Sequence, residues 1–276
     1  MKSTVKSIFA QLGYTLQKRG NALIGSEAAD HIHRIEYYIK LMGIFGEQLP
    51  PGNTERFCKN LLKLRSQIGQ DLIALVLTQF KRDGFFVEFG AADGISASNT
   101  YILETEFNWS GILAEPARGW HESLKSNRSC AISPLCVWKS TGELLKFKEV
   151  PHGFGTIKHF EGSDHWAETR SRGYTYDVST ISLIDLLEHF NAPSQIDYMS
   201  LDTEGSELEI LRSFDFDKYT FRFISVEHNY TANRDLIHAL LSRNGYSRIS
   251  ALDSKFDDWY VCPGAIDKTL CTFLLS

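Results

Sequence analysis

The feature that most constrains the fold is a series of short apolar runs that alternate with helix-like segments from residue 85 onward. Strands that alternate with helices of about ten residues indicate βαβ units around a mostly parallel sheet. Short, continuously apolar strands are typical of a sheet that is covered on both faces. The predicted strands are 85–89, 111–115, 130–138 with a hairpin partner at 144–150, 196–201, 221–227, and two more near 246–249 and 259–262.

Residues 1–66 follow a different pattern, and we predict a helical extension there ahead of a domain that spans 67–276. Apolar residues recur at helical spacing, and within 1–19 they are flanked by lysine and arginine. Such a helix is able to lie on an anionic membrane surface as a peripheral contact. Packing on the domain or on a second subunit is the alternative, so a homo-oligomer is left open.

The composition excludes several classes of protein. The 276 residues are 43% hydrophobic, which is enough for a large core, but no apolar run reaches the roughly 18 residues of a membrane span. Five cysteines without paired spacing indicate neither a disulfide framework nor a zinc site, so we expect a cytoplasmic protein. Residues 83–276 carry a net charge of −11, which argues against a nucleic-acid partner.

The loop after the first predicted strand has the sequence EFGAADG over 88–94. Its small residues allow a ligand to approach the backbone, and the following helix offers free N–H groups. The dinucleotide fingerprint G-x-G-x-x-G is incomplete, because Ala92 and Ile95 occupy its second and third glycine positions. Glu88 and Asp93 would repel a pyrophosphate but suit a ligand with an ammonium group and no phosphate, such as S-adenosyl-L-methionine.

Acidic residues also end the later strands. Glu115 follows the second strand, where a carboxylate can accept both ribose hydroxyls of either NAD or S-adenosylmethionine. Asp202 and Glu204 follow the 196–201 strand, and Glu227 and His228 end the next one. These four are the candidate catalytic residues, because an acid or a histidine there can orient a substrate hydroxyl or take its proton. Asp202 and Glu227 are also the candidate ligands for a divalent cation such as Mg²⁺.

Residues 151–175 contain glycine, histidine and aromatic residues without any periodicity. A long segment of this kind inside a compact domain often acts as a lid or a binding loop. The spacing of its histidines matches no common zinc pattern. We therefore expect an irregular lid that takes part in the choice of substrate.

Taken together, these residues resemble the FkbM family of S-adenosylmethionine-dependent methyltransferases. The matching segments are GFFVEFGAADG at 84–94, SNT at 98–100, WSGILAEP at 109–116 and DTEGSE at 202–207. The resemblance covers about 67–262, and it leaves 1–66 without any counterpart. It implies a Rossmann-like methyltransferase fold with seven strands, the last one antiparallel. It also implies methyl transfer to a hydroxyl oxygen, commonly on a sugar or a natural product.

The resemblance also implies a cofactor site. Glu88, Gly90 and Asp93 would line the methionine end, Glu115 the ribose, and Val137 the adenine. The complete set of predicted cofactor residues is Glu88, Gly90, Ala91, Asp93, Asn99, Glu115, Pro116, Val137 and Asp202. We therefore predict an O-methyltransferase that acts on a hydroxyl of a small-molecule, glycan or glycan-precursor acceptor. An NAD-dependent oxidoreductase and a non-catalytic binding protein on the same fold are the alternatives.

Overall fold

The computed structural model describes residues 64–150, 153–250 and 254–275, together with a few isolated positions between 37 and 63 and residue 252. The chain divides into two compact units, 1–63 and 64–276. The predicted helices of the first unit, including the basic helix at 1–19, lie outside the described residues. Within the described part of the chain, no helix has the length and apolar character that crossing a membrane requires.

The second unit is built around a seven-stranded sheet. Its strands are β1 (Phe85–Phe89), β2 (Ser110–Ala114), β3 (Ala131–Ser133), β8 (Gln195–Leu201), β9 (Thr220–Glu227), β10 (Ser247–Arg248) and β11 (Asp257–Val261). They are arranged in the order β10-β11-β9-β8-β1-β2-β3. Strand β11 is antiparallel to both of its neighbours, β9 and β10, and the other pairs of this sheet are parallel. The predicted α/β fold with a mostly parallel sheet and an antiparallel last strand is confirmed.

Helices connect these strands. Their bounds are α1 (Gln70–Leu77), α2 (Tyr101–Phe107), α3 (His121–Asn127), α4 (Ala167–Ser171), α5 (Leu183–His189), α6 (Glu207–Arg212), α7 (Asn233–Arg243) and α8 (Lys268–Leu275). One hydrophobic core contains apolar residues of β1, β8 and β9 together with those of α5 and α6. Burial of these side chains, each worth about 1.5–3 kcal/mol, fixes which helix face meets the sheet. Helix α8 was not predicted, because its short apolar stretch follows an uninformative loop.

The region 130–138 differs from the prediction of a single strand. It forms two short strands, β3 in the main sheet and β4 (Cys136–Trp138), which belongs to a second sheet of four strands. Pro134 between them lacks a backbone N–H and cannot continue the hydrogen-bonding ladder, which accounts for the break. Strand β4 pairs in parallel with β7 (Tyr174–Ser182).

The predicted hairpin of 130–138 with 144–150 is also wrong. Strand β5 (Leu144–Glu149) pairs with β7 and with β6 (Thr156–Ile157), so β7 lies between β4 and β5 in the second sheet. Strand β7 was not predicted at all. The region 151–175 is more regular than expected, since 153–175 contains β6, a 3₁₀ turn at Lys158–Phe160, helix α4 and the start of β7.

The sheet register brings the strand ends together. Residue Glu88 of β1 is opposite Ser200 of β8, and Phe89 is opposite Ala114 of β2. The loops after β1, β2, β8 and β9 therefore leave the sheet at the same carboxyl edge, where open α/β sheets bind ligands.

Candidate active site

The loop after β1 turns sharply at Gly90, whose φ of +78° lies in the left-handed region. The N–H of Gly90 donates to the carbonyl oxygen of Ala114 at 3.1 Å, which ties the loop to the end of β2. A Cβ atom on this residue would lie 2.1 Å from the carbonyl oxygen of Asp202, so only glycine fits. The close approach brings the loop directly against the end of β8.

The carboxylate of Glu88 is buried and organises this loop. It accepts hydrogen bonds from the Ser98 hydroxyl at 3.0 Å, the Asn99 N–H at 2.7 Å and the Thr100 hydroxyl at 2.5 Å. The guanidinium of Arg128 lies 3.8 Å away, and the Arg128 side chain is fully buried. These contacts occupy most of the hydrogen-bonding capacity of Glu88, so a direct contact with the cofactor stays a prediction.

Arg128 is a structural residue of the site that the sequence did not reveal. It donates from Nε to Glu104 at 2.6 Å, from Nη1 to the Gly94 carbonyl oxygen at 3.1 Å and from Nη2 to the Thr100 hydroxyl at 2.9 Å. The lone arginine at the end of α3 has no sequence signal that distinguishes it from a surface charge. It holds the loop that follows β1 in the middle and at its end.

Asn99 leaves an unsatisfied atom beside the loop. Its Nδ2 donates to the Ser200 hydroxyl at 2.8 Å, whereas its Oδ1 is buried and has no hydrogen-bond partner among the described residues. An orphaned buried acceptor is rare in native proteins and marks a place where a ligand donor is able to bind. The ammonium group of the predicted cofactor has the required chemistry.

Glu115 follows β2 and lies buried behind the same loop. Its Oε2 accepts the N–H of Ala92 and its Oε1 accepts the N–H of Ala117, both at 2.8 Å. Burial raises the pKa of Glu115 to about 7, and the backbone donors oppose that shift. Each oxygen keeps a free lone pair, so the carboxylate is able to accept the two hydroxyls of a ribose.

Three carboxylates meet where β8 and β9 end. Asp202, Glu204 and Glu227 bring oxygens within 4.8 Å of one another. Because like charges this close repel, the charge of Asp202 favours a proton on Glu227. Burial raises the pKa of Asp202 to about 7 and that of Glu204 to about 9, and it raises the pKa of Glu227 well above its usual range. The cluster therefore holds protons near neutral pH and is able to exchange them.

Glu204 is held by residues that were not predicted. Its Oε2 accepts from Arg170 Nη2 at 2.5 Å, and Asn229 Nδ2 lies 3.5 Å from the same oxygen. The backbone of Glu204 has a φ of +59°, a conformation that costs a residue with a side chain about 1–2 kcal/mol. Such strain persists only where the surroundings enforce it.

Two of the predicted residues do not face the cluster. His228 is buried, its Nδ1 accepts the N–H of Tyr230, and its Nε2 lies 3.8 Å from Asp258. Burial lowers the pKa of His228, which favours the neutral ring at pH 7. Asp93 caps the turn after Gly90 by accepting the N–H groups of Ile95 and Ser96, which lower its pKa. Neither side chain lines either of the two pockets at the carboxyl edge of the sheet.

Two adjoining pockets open at this edge of the sheet. Pocket A encloses about 630 Å³, part of it open to solvent, and its lining includes Gly90, Glu115, Pro116, Val137 and Asp202. Pocket B encloses about 1040 Å³, and its lining includes Glu88, Ala91, Asn99, Glu204 and Glu227. Gly90, Asp202 and Glu204 line both pockets. A reaction between one ligand in each pocket would therefore occur beside Asp202.

Aromatic side chains form the outer wall of pocket B. Phe154 stacks on Trp166 with ring centroids 3.9 Å apart, and both lie in the segment that was predicted to be an irregular lid. His165, Tyr230 and Phe256 complete this wall. The sequence placed His165 and Trp166 in the segment but gave no signal for their arrangement.

The sheet order, the glycine turn and the acids at the carboxyl edge define a Rossmann-like methyltransferase. The model of the FkbM methyltransferase domain matches residues 88–248, which is more than half of the chain. The chain belongs to the FkbM methyltransferase family, whose members use S-adenosylmethionine. No curated protein matches the chain. Membership confirms the predicted family and argues against the NAD-dependent oxidoreductase.

The chain is also similar, at low sequence identity, to solved structures of methyltransferases. Precorrin-6y C5,15-methyltransferase from Geobacter metallireducens GS-15 is 10% identical, with a TM-score of 0.38 over 72% of this chain and 89% of that chain. The ribosomal protein L11 methylase from Lactobacillus delbrueckii subsp. bulgaricus is 9% identical, with a TM-score of 0.35 over 69% of this chain and 74% of that chain.

Proposed function

We propose that the protein is an O-methyltransferase that transfers the methyl group of S-adenosylmethionine to a hydroxyl of a sugar or glycan acceptor. The cofactor would occupy pocket A and the acceptor pocket B. The observation that carries this proposal is the grouping of the Asp202 and Glu227 carboxylate oxygens within 4.8 Å, beside the point where Asp202 lines both pockets.

The residues of pocket A suit the cofactor. Glu115 would accept the ribose hydroxyls, and the apolar surface of Pro116 and Val137 would contact the adenine. The methionine end, which is positively charged, would extend past Asp202, which lines both pockets, toward the buried Oδ1 of Asn99 in pocket B. S-adenosylmethionine, when bound, supplies an electrophilic methyl group on a positively charged sulfur.

The acidic pair would serve as the base. An alcohol is a weak nucleophile, and a positioned carboxylate that takes its proton typically accelerates such a reaction by about 10²–10⁴. When bound, S-adenosylmethionine would supply its methyl carbon to the acceptor oxygen, and the bond from that carbon to sulfur would be the bond that breaks. The hydroxyl proton would pass to Asp202 or Glu227, whose pKa values are raised by burial.

The aromatic wall favours a sugar as the acceptor. Flat rings such as the Phe154–Trp166 stack offer a rigid apolar surface for the C–H face of a pyranose, while the acids accept its hydroxyl protons. A glycan carries both surfaces on one molecule, whereas an apolar acceptor would leave the carboxylates without donors.

A divalent cation at Asp202 and Glu227 stays a separate prediction. Both side chains offer the oxygen ligands that Mg²⁺ prefers, and Glu204 lies close enough to be a third ligand. A cation there would compete with protons for the carboxylate oxygens and would polarise the acceptor hydroxyl directly. Activity that is abolished by EDTA and restored by Mg²⁺ would support the cation, and full activity in EDTA would exclude it.

The experiment is a transfer assay with methyl-labelled S-adenosylmethionine and a panel of methyl glycosides that differ in ring configuration. We expect labelled product from at least one glycoside and none from the Asp202→Asn variant. The exposed variant Asp217→Asn is the control and should keep full activity. Cofactor binding without transfer to any glycoside would contradict the sugar acceptor, and absence of cofactor binding would favour the non-catalytic alternative.

A further inference from the structure

Arg170 is fully buried and uses its guanidinium to join three parts of the chain. Its Nε donates to the Phe154 carbonyl oxygen at 3.0 Å, and its Nη atoms form a fork on Asp164 at 2.8 and 3.0 Å. One of those Nη atoms also donates to Glu204 Oε2 at 2.5 Å. A planar guanidinium suits this arrangement because its donors have fixed directions.

The arginine thereby fixes the aromatic wall of pocket B. Asp164, which Arg170 holds, accepts the N–H of Trp166 through Oδ1 at 2.8 Å. Phe154, whose carbonyl oxygen Arg170 also holds, stacks on the Trp166 ring. Arg170 therefore holds both members of the stack. It contacts Phe154 directly and Trp166 through Asp164, which is two residues earlier in the chain.

Glu204, which follows β8, connects this wall to the main sheet. Besides its contact with Arg170, its carbonyl oxygen accepts the Thr156 hydroxyl at 2.8 Å. The next residue, Gly205, packs so closely on Phe160 that a Cβ atom added to Gly205 would lie 3.0 Å from the Cβ of Phe160. The turn after β8 and the segment 153–173 are thus joined by charge, hydrogen bond and packing.

We propose that Arg170 and Glu204 form a positioning pair that sets the acceptor-binding wall, and that Glu204 is not the base. This inference rests on the proposed function. The geometry supports it, because Arg170 Nη2 and Asn229 Nδ2 both lie on Glu204 Oε2. Among the described residues, Asp202 and Glu227 have no hydrogen bond or ion pair with an arginine. They are left to take the hydroxyl proton.

Kinetic variants distinguish a positioning residue from a base. Glu204→Gln keeps an oxygen that can accept from Arg170, and Arg170→Lys keeps the charge but loses the fork. With the methyl glycoside that the wild type turns over fastest, both variants should raise the acceptor KM about tenfold, the worth of one charged hydrogen bond, while kcat stays within about threefold. Asp202→Asn should lower kcat about 100-fold or more.

Arg172→Lys is the matched control, since Arg172 belongs to the same segment but is 81% exposed. It should leave both constants unchanged. A 100-fold loss of kcat in Glu204→Gln at constant KM would make Glu204 the base and overturn the proposal. An unchanged KM in Arg170→Lys would overturn it as well.

A second readout does not depend on activity. Amide hydrogen exchange of the full-length protein should be faster over 153–173 in Arg170→Lys than in the wild type, and unchanged in Arg172→Lys. Equal exchange in all three proteins would contradict the anchoring role. If no glycoside is methylated by the wild type, the proposed acceptor fails, but the exchange measurement still decides the role of Arg170.

Discussion

The Cα of Gly90 approaches the carbonyl oxygen of Asp202 so closely that an added Cβ would lie 2.1 Å from it. The turn after β1 and the end of β8 therefore meet backbone to backbone, with no side chain between them. This contact explains how the loop after β1 comes to lie beside the cluster of carboxylates at the ends of β8 and β9. It also makes Gly90 a position where packing and backbone conformation both require glycine.

We predict that Gly90→Ala abolishes cofactor binding and destabilises the fold. The substitution adds a clash to the cost of a positive φ, which alone is about 1–2 kcal/mol. Gly142→Ala is the matched control, because Gly142 has a φ of +85° and no atom within 4 Å of an added Cβ. Thermal unfolding and calorimetric titration of both variants test this. Equal behaviour of the two variants would refute the role of the close contact.

Arg128→Ala should destabilise the protein by about 3–5 kcal/mol, because it leaves the buried Glu88 and the partly buried Glu104 without their cation. Denaturant unfolding measures this difference. Lys125→Ala, at an exposed position of the neighbouring helix α3, should change the stability by less than about 0.5 kcal/mol. A loss below about 1 kcal/mol in Arg128→Ala would show that the loop does not depend on this arginine.

Stability should fall as the pH rises from about 4 to 8. Burial raises the pKa of Asp257 from 3.8 to about 8, and that of Glu115 from 4.5 to about 7. Between these values the folded protein holds protons that the unfolded chain has released, so raising the pH favours unfolding. Each such group lowers the free energy of unfolding by about 1.4 kcal/mol for every pH unit within its range. Calorimetric melting temperatures measured at each pH unit from 4 to 9 test the sign.

Asp257→Asn should flatten this dependence. Asp257 accepts from Gln70 Nε2 at 3.0 Å, and an amide oxygen is able to take over that bond. The exposed variant Asp217→Asn should keep the wild-type slope. A slope that is unchanged in Asp257→Asn would mean that this carboxyl does not hold its proton in the folded state.

The strands of the main sheet could be predicted because each one is marked by residues within or next to it in the chain. The apolar runs that became β1 and β2 end in glycine or in an acid, and both features are visible along the chain. The same holds for Asp202 and Glu227, which follow strands and therefore had to lie at the carboxyl edge. Their grouping within 4.8 Å follows from adjacent strands in the sheet.

The second sheet was not predictable in the same way. Strand β7 pairs with β4 and with β5, and such partners are set by packing between distant segments. The alternation of Tyr174, Tyr176, Val178 and Thr180 with polar residues has the period of two that is typical of a strand. It does not indicate which strands β7 pairs with. The burial of Arg170 could not be predicted from the sequence. The residues next to it in the chain do not indicate whether an arginine is buried or exposed, and its partners Phe154 and Glu204 are distant in sequence.

The central claim is that the pocket between Gly90 and Glu115 binds S-adenosylmethionine. Calorimetric titration of the wild type at pH 8 tests it most directly, with Glu115→Ala and the exposed Glu122→Ala titrated beside it. We predict micromolar binding in the wild type and in Glu122→Ala, weaker binding at pH 6 as Glu115 gains its proton, and no measurable binding in Glu115→Ala. A folded wild-type protein that binds neither S-adenosylmethionine nor S-adenosylhomocysteine, or a Glu115→Ala variant that binds as tightly as the wild type, would contradict the account.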